Sequence, residues 1–181
     1  MKKEEIKLDE FEDEIYDKYV DLFPSNERRD IKKIRRTYKD GIEKFYKISL
    51  DNNIIGFFML ERLNEYPYYL DYFGIDRKYQ NSGYGTEALK LLMKDVIKET
   101  GLIGEIEKVI DDDPITRRRL NFYKRLGFSE IGSEYSLYNV LFNPIVYMSK
   151  YNKEEMDSIF FEYYKINIGL EGTMKNCKII K

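Results

Sequence analysis

The stretch Tyr68 to Val96, YYLDYFGIDRKYQNSGYGTEALKLLMKDV, constrains the fold more than any other part of the chain. Tyr68 to Ile75 is aromatic and β-branched, opened by Pro67, and reads as a strand. A helix is expected to start near Gly85 or Thr86, because Leu89, Leu92, Met93 and Val96 recur at i, i+3, i+4 and i+7. Between strand and helix lies Gln80-Asn81-Ser82-Gly83-Tyr84-Gly85. Glycines there let the main chain turn with its N–H groups outward. The helix adds unpaired first-turn N–H groups and the positive end of its dipole. Such a turn suits a phosphate or pyrophosphate. A Walker loop fits less well, since it needs Gly-Lys-Ser/Thr and Thr86-Glu87 follows Gly85. A dinucleotide fingerprint is a poor fit, since position 88 is Ala and no further βαβ repeat exists. A purely structural glycine turn remains the alternative.

The 181 residues suffice for one domain with a core, and net charge is −2. That charge gives no global reason to expect nucleic acid or an anionic membrane as partner. No apolar run is long enough to span a membrane. The amino-terminal MKKEEIKLDEFEDE lacks an apolar signal region, and Cys177 is the one cysteine, so a cytoplasmic location is expected. Histidine is absent. This removes the commonest general base and zinc ligand, so no metal site and no Ser-His or Cys-His nucleophile is expected.

In chain order, Ile6 to Leu8 suggests a short strand. Glu12 to Phe23 reads as a helix with Ile15, Tyr19 and Leu22 on one face, and Pro24-Ser25 breaks it. Ser25 is a natural cap for a second helix, Asn26 to Tyr38, with Ile31, Ile34 and Tyr38 inward. Its cations, Arg28, Arg29, Lys32, Lys33, Arg35, Arg36 and Lys39, form either a solvated face or a basic rim for an acidic acceptor or nucleic acid. Ile42 to Leu50 and Asn53 to Leu63 read as a hairpin turned at Asp51-Asn52-Asn53. Ile103 to Ile110 is a strand whose alternation puts Glu105 and Glu107 on one face. Those carboxylates either partner a nearby cation or have a task. Asp113 and Pro114 open a helix that closes at Gly127. Two strands are expected at Ser129 to Gly132 and Pro144 to Lys150, joined by the tyrosine-rich Gly132 to Asn143. Asn152-x-x-Glu155 resembles a capping box before an apolar face of Met156, Ile159, Phe160, Tyr163 and Tyr164. Gly169 to Lys181 carries no pattern. One domain over 1–150 is expected, with a helix and tail over 151–181 that packs on the same domain or on a second copy in a homodimer.

Gln80, Gly83 and Gly85 match Gln/Arg-x-x-Gly-x-Gly/Ala, the acetyl-CoA-binding motif of the GNAT superfamily of N-acetyltransferases. Phe122-Tyr123-x-x-x-Gly127-Phe128 matches a second block of that family. The resemblance runs to about Lys150. It implies an α/β (α+β) fold with a mixed central sheet of about six or seven strands flanked by helices, and parallel strands splayed at the coenzyme. It implies acetyl transfer from acetyl-CoA directly to a primary amine, a small molecule more than a protein, in a ternary complex. The alternative is a catalytically inactive acyl-CoA-binding or regulatory module.

The resemblance also assigns residues. Main-chain groups of Gln80, Asn81, Ser82, Gly83, Tyr84, Gly85 and Thr86 hold the pyrophosphate. Phe73, Gly74 and Ile75 meet the pantetheine arm, with Gly74 fitting a strand bulge. Tyr123 meets the departing thiolate. Where many relatives have an Asn that contacts pantetheine, this chain has Thr116. A base is needed because an ammonium has no lone pair. Glu105 and Glu107 are the candidates, with Glu61 and Asp71 behind them. Arg117, Arg118 and Lys124 either meet the 3′-phosphate or form a solvated face.

Overall fold

A computed structural model of the chain describes residues 1–95, 100–110 and 113–180. Val96, which apolar spacing placed on a helix stripe, and Asp111 and Asp112, just before Asp113, lie outside the described residues. Two compact units divide the chain: Met1–Asn64 with Leu70–Lys98, and Glu65–Tyr69 with Glu99–Lys181.

The first unit opens with β1 (Lys2–Ile6). The strand ends earlier than expected because the Lys7 N–H binds the Glu10 carboxylate and its carbonyl accepts from Phe11, so a helix has begun. That helical stretch comprises α1 (Leu8–Glu10), a π-helical turn (Phe11–Ile15) and α2 (Tyr16–Leu22). Phe11, Ile15 and Tyr19 are fully buried and share a core with Phe45, Phe57 and Met59. The next helix, α3 (Ile31–Lys39), is capped by Asp30, whose side chain accepts from the Lys32 N–H at 2.7 Å. Ser25 is not the cap. The main-chain N–H of Arg29 is bonded to the hydroxyls of Tyr19 and Tyr72, so the helix forms only beyond it.

Strands β2 (Glu43–Leu50) and β3 (Asn53–Glu61) form the expected hairpin. Asp51 and Asn52 both take the left-handed conformation, at φ 49° and 65°. A two-residue loop of this kind matches the twist of the strands it joins. β1 pairs antiparallel with β2, and β2 with β3, with Glu43 directly opposite Glu61. β4 (Tyr68–Ile75) has the bounds read from sequence. α4 (Tyr84–Asp95) starts one residue before the expected point and buries Ala88, Leu89 and Leu92.

In the second unit, β5 (Leu102–Glu107) pairs in parallel with the start of β4, Tyr68 opposite Leu102 and Tyr69 opposite Ile103. The strand expected to run to Ile110 stops at Glu107, and Ile110 is exposed rather than packed. α5 (Pro114–Arg125) carries the predicted caps: Asp113 accepts from Ile115 N–H at 2.8 Å, and Gly127 has φ 90°.

Strands β6 (Ser129–Glu130), β7 (Glu134–Leu137) and β8 (Val140–Tyr147) follow. The tyrosine-rich connector is thus a hairpin, turning at Tyr138 (φ 50°) and Asn139 (φ 67°). Tyrosine is a rare choice for a left-handed turn, which hid the signal. β8 lies antiparallel between β5 and both β6 and β7. α6 (Lys153–Asn176) is capped by Asn152, whose side chain accepts from Glu155 N–H, and kinks at Gly169. The patternless tail is structured: β9 (Cys177–Ile180) pairs antiparallel with β7. Nine strands are found among the described residues, mostly antiparallel, in a mixed α/β fold. β7 and β9 account for the excess over the expected number.

Candidate active site

The turn expected to hold phosphate is built in short steps. Asp76 accepts from the Lys78 N–H and closes a single 3₁₀ turn, Arg77–Tyr79. The Gln80 side-chain amide donates to the Ile75 carbonyl at 2.8 Å, tying the loop back to the end of β4. Asn81 and Gly83 take φ of 62° and 86°. A Cβ on Gly83 would meet nothing within 4 Å, so the main chain there is open to an approaching group. α4 begins at Tyr84, and Glu87 N–H is the first to close onto Gly83, at 3.2 Å. Helix geometry therefore leaves the N–H groups of Tyr84, Gly85 and Thr86 to point out along the axis. Such a terminus favours an anion.

Upstream on β4, Phe73 stacks on Phe58 with ring centroids 4.5 Å apart. Gly74 is needed for packing: a Cβ would lie 2.8 Å from Leu22 Cδ1 and 2.9 Å from Phe57. Close approach of these side chains thus also favours glycine at this position.

The two reserve carboxylates of this unit are committed elsewhere. The Arg29 guanidinium meets Glu61 at 2.7 Å, Glu43 at 2.6 Å and Asp71 at 2.5 Å. Thr37 donates to Glu43 at 2.8 Å, and Tyr72 donates to the Glu27 carbonyl at 2.7 Å. Burial pushes Glu43 upward against the pull of Arg29. Burial also works against the charge of Arg29, but Asp71, Glu43 and Glu61 outweigh it and hold the guanidinium well above its ordinary value. Tyr19 is pushed up to about 12 by burial. The sequence listed Arg29 among seven helix cations and did not separate it from them.

In the second unit the paired glutamates of β5 separate chemically. Glu107 is half-exposed and bonds Arg119 at 3.2 Å. Glu105 sits opposite Pro144 of β8, receives a hydrogen bond from the Tyr164 hydroxyl of α6, and also bonds Tyr69. Desolvation pushes it up to about 7, the two tyrosine hydroxyls pulling the other way. Tyr69 stacks on Tyr163, 5.1 Å between centroids, and Tyr163 donates to the Pro67 carbonyl at 2.6 Å. The surroundings of Glu105 are thus aromatic hydroxyls rather than cations. Neither tyrosine was flagged from sequence, because the pairing joins residues far apart in the chain.

Tyr123 on α5 lies edge-on to Phe122 and Phe128 at 5.0 and 5.2 Å, and burial pushes it up to about 12. Thr116 is buried in the cap of α5, where it donates to the Asp113 carbonyl and accepts from Ile110 N–H. Lys124, expected as a phosphate ligand or a free surface cation, bonds Glu130 at 2.6 Å.

The profile described as "Acetyltransferase (GNAT) family" matches residues 8–128, two thirds of the chain. The chain belongs to the GNAT acetyltransferase family. Membership implies acetyl transfer from acetyl-CoA. Among solved structures, a protein of Bacteroides thetaiotaomicron assigned to the GNAT family has TM-score 0.78 at 22% identity, over 94% of this chain and 99% of that one. A GNAT acetyltransferase of Elizabethkingia anophelis with acetyl-CoA bound has TM-score 0.59 at 16% identity, over 80% and 95%. A chimera of Vibrio cholerae spermidine N-acetyltransferase has TM-score 0.62 at 11% identity, over 86% and 98%. At such identities the likeness is one of GNAT fold. No protein of curated function is similar enough in sequence to match. Among the described residues, no helix of this GNAT chain is long and apolar enough to cross a membrane.

Proposed function

We propose that this GNAT protein moves an acetyl group from acetyl-CoA directly to the primary amine of a small cationic molecule. The observation that carries the reading is the turn from Gln80 to Thr86, which opens main-chain N–H groups onto an unobstructed surface at the head of α4. Phe73, Gly74 and Ile75 would take the pantetheine arm. Direct transfer suits the composition: there is no histidine, and the one thiol, Cys177, is buried and pushed up to about 11, away from the reactive thiolate.

Of the two glutamates, Glu105 is the better base. A base is most effective with a pKa near the working pH, and burial brings Glu105 to about 7. Glu107 is drawn to Arg119 instead. The Glu105 carboxylate takes one proton from the ammonium. The freed lone pair forms the N–C bond, the C–S electron pair leaves with sulfur, and the second amine proton goes to the thiolate. Tyr123 is a weaker acid than a CoA thiol, which sits near about 8.5. It therefore serves the thiolate as a hydrogen-bond donor and keeps its proton. The acceptor class rests on Glu105, which no described Lys or Arg pairs with, and a polyamine fits it. A spermidine enzyme is among the structures of like fold.

Thermal melting with acetyl-CoA tests the turn. At 100 times Kd the ligand is expected to stabilise wild type by about 2.7 kcal/mol. Gly83→Trp meets open space but must hold φ 86°, so it is expected to fold with some loss of stability and to lose the ligand shift. A full shift in Gly83→Trp would place the coenzyme elsewhere. Tyr123→Phe is expected to lower kcat about tenfold or more while acetyl-CoA affinity stays at the wild-type value. Equal kcat in the two proteins would remove Tyr123 from the reaction. Binding without thiol release across an amine panel would favour an acyl-CoA-binding module.

A further inference from the structure

The family match ends at residue 128, and the part-buried carboxylate of Glu105 is met by a residue beyond it. Carboxylates drawn in from solvent here are met either by a cation or, like Asp157 and Glu105, by hydroxyls. Glu43, Glu61 and Asp71 are gathered on the one guanidinium of Arg29. Glu105 has no described Lys or Arg paired with it. The groups facing it are Tyr69 from β4, Tyr164 from α6, Tyr135 from β7 and Cys177 from β9, with Pro144 opposite on β8.

Tyr135 is already spoken for. Its hydroxyl donates to Asp157 at 2.6 Å, and Ser133 donates to the other oxygen of the same carboxylate at 3.1 Å. Tyr164 is therefore the α6 group whose proton points at Glu105. Its ring is buried beside Tyr135, at 6.2 Å between centroids. The remainder of α6 fixes it in place: Phe160 and Tyr163 pack on Tyr69.

We infer that Tyr164 is a positioning residue for acetyl transfer, holding the Glu105 carboxylate in one rotamer with a hydroxyl that never gives up its proton. This rests on the reading of Glu105 as base. An ionised carboxylate partly withdrawn from water gains from a donor, and a cation there would depress its basicity. A tyrosine hydroxyl supplies the hydrogen bond without the charge. Burial and the neighbouring carboxylate both raise the Tyr164 pKa, so it stays a donor across the working pH range. The helix beyond the matched segment would then be part of the catalytic apparatus as well as of the fold.

The experiment is a carbon-detected titration of glutamate side-chain carboxyls in the full chain, for wild type, Tyr164→Phe and Tyr163→Phe. Loss of the Tyr164 donor disfavours the ionised form, so the Glu105 midpoint is expected to move up by about one unit in Tyr164→Phe. Tyr163→Phe removes an equally buried hydroxyl, one bonded to a main-chain carbonyl, and is expected to leave the midpoint in place. The acid limb of kcat/KM, measured with acetyl-CoA and spermidine as probe acceptor, is expected to move with the midpoint. An unmoved midpoint in Tyr164→Phe overturns the inference. An acid limb that persists unchanged in Glu105→Gln removes Glu105 as base. A limb lost in Glu105→Gln but unmoved in Tyr164→Phe removes the positioning role alone.

Discussion

Glu105→Gln is expected to melt several degrees above wild type at pH 8 and close to wild type at pH 5. In the folded chain Glu105 keeps its proton up to about 7, against 4.5 for an ordinary glutamate. Between these values the folded state holds more protons than the unfolded one, so stability falls as pH rises through that window. The favourable contribution is whole below the unfolded pKa and gone above the folded one. Its span corresponds to about 3 kcal/mol at the outside. Glutamine keeps an oxygen to accept from Tyr164 and carries no charge to desolvate, so the pH-dependent loss vanishes with the substitution. Calorimetric melting of both proteins from pH 5 to 8.5 decides the matter. A difference in Tm that does not change with pH would mean that Glu105 is not held in the low-dielectric environment the packing describes. If the variant is also inactive, residue 105 trades stability for chemistry, as working groups in dry sites tend to do.

Arg29→Met is expected to be the most damaging single change in the first unit, with a loss of about 3–5 kcal/mol near neutral pH. That is a large share of the stability of an ordinary domain. Methionine fills most of the side-chain volume, so cavity formation is minor. The loss comes from Glu43 and Glu61, which stay buried with no countercharge, and from Asp71 beside them. The main-chain bonds from Arg29 N–H to Tyr19 and Tyr72 do not need the guanidinium, so the 23–30 segment should keep its path. The penalty lies in charge, and so it should shrink as the carboxylates protonate. Denaturant melts of the variant at pH 5 and pH 7.5 are expected to show a smaller deficit at the lower pH. An equal deficit at both would point to lost packing instead. Arg35, on the same basic face, makes a two-point contact with Glu12 in solvent, and its removal is expected to matter little.

These two residues mark the limit of what could be read before folding. Arg29 stands in a run of cations, and Glu105 stands two residues from Glu107 in a plain alternating strand. Their neighbours in sequence do not distinguish them. Arg29 is set apart by carboxylates from three strands, and Glu105 by a tyrosine 59 residues away in the chain.

What the sequence by itself determined is local. β4, the Gln80–Gly85 turn and the head of α4 follow from strand propensity, left-handed glycine and apolar spacing within a few residues. The Asp51-Asn52 hairpin, the Asp113–Pro114 start of α5 and the Asn152 cap of α6 are equally short-range. Each depends on hydrogen bonds between residues two to four apart, which travel with the sequence. Family membership was legible for the same reason, since its motifs are two such turns. The tertiary structure alone decided which carboxylates gather on Arg29 and which is met by tyrosines, that the tail becomes β9, and that Leu22 and Phe57 press on Gly74. Desolvation and pairing depend on everything that surrounds a group, and the sequence near a residue says almost nothing about what will be folded against it.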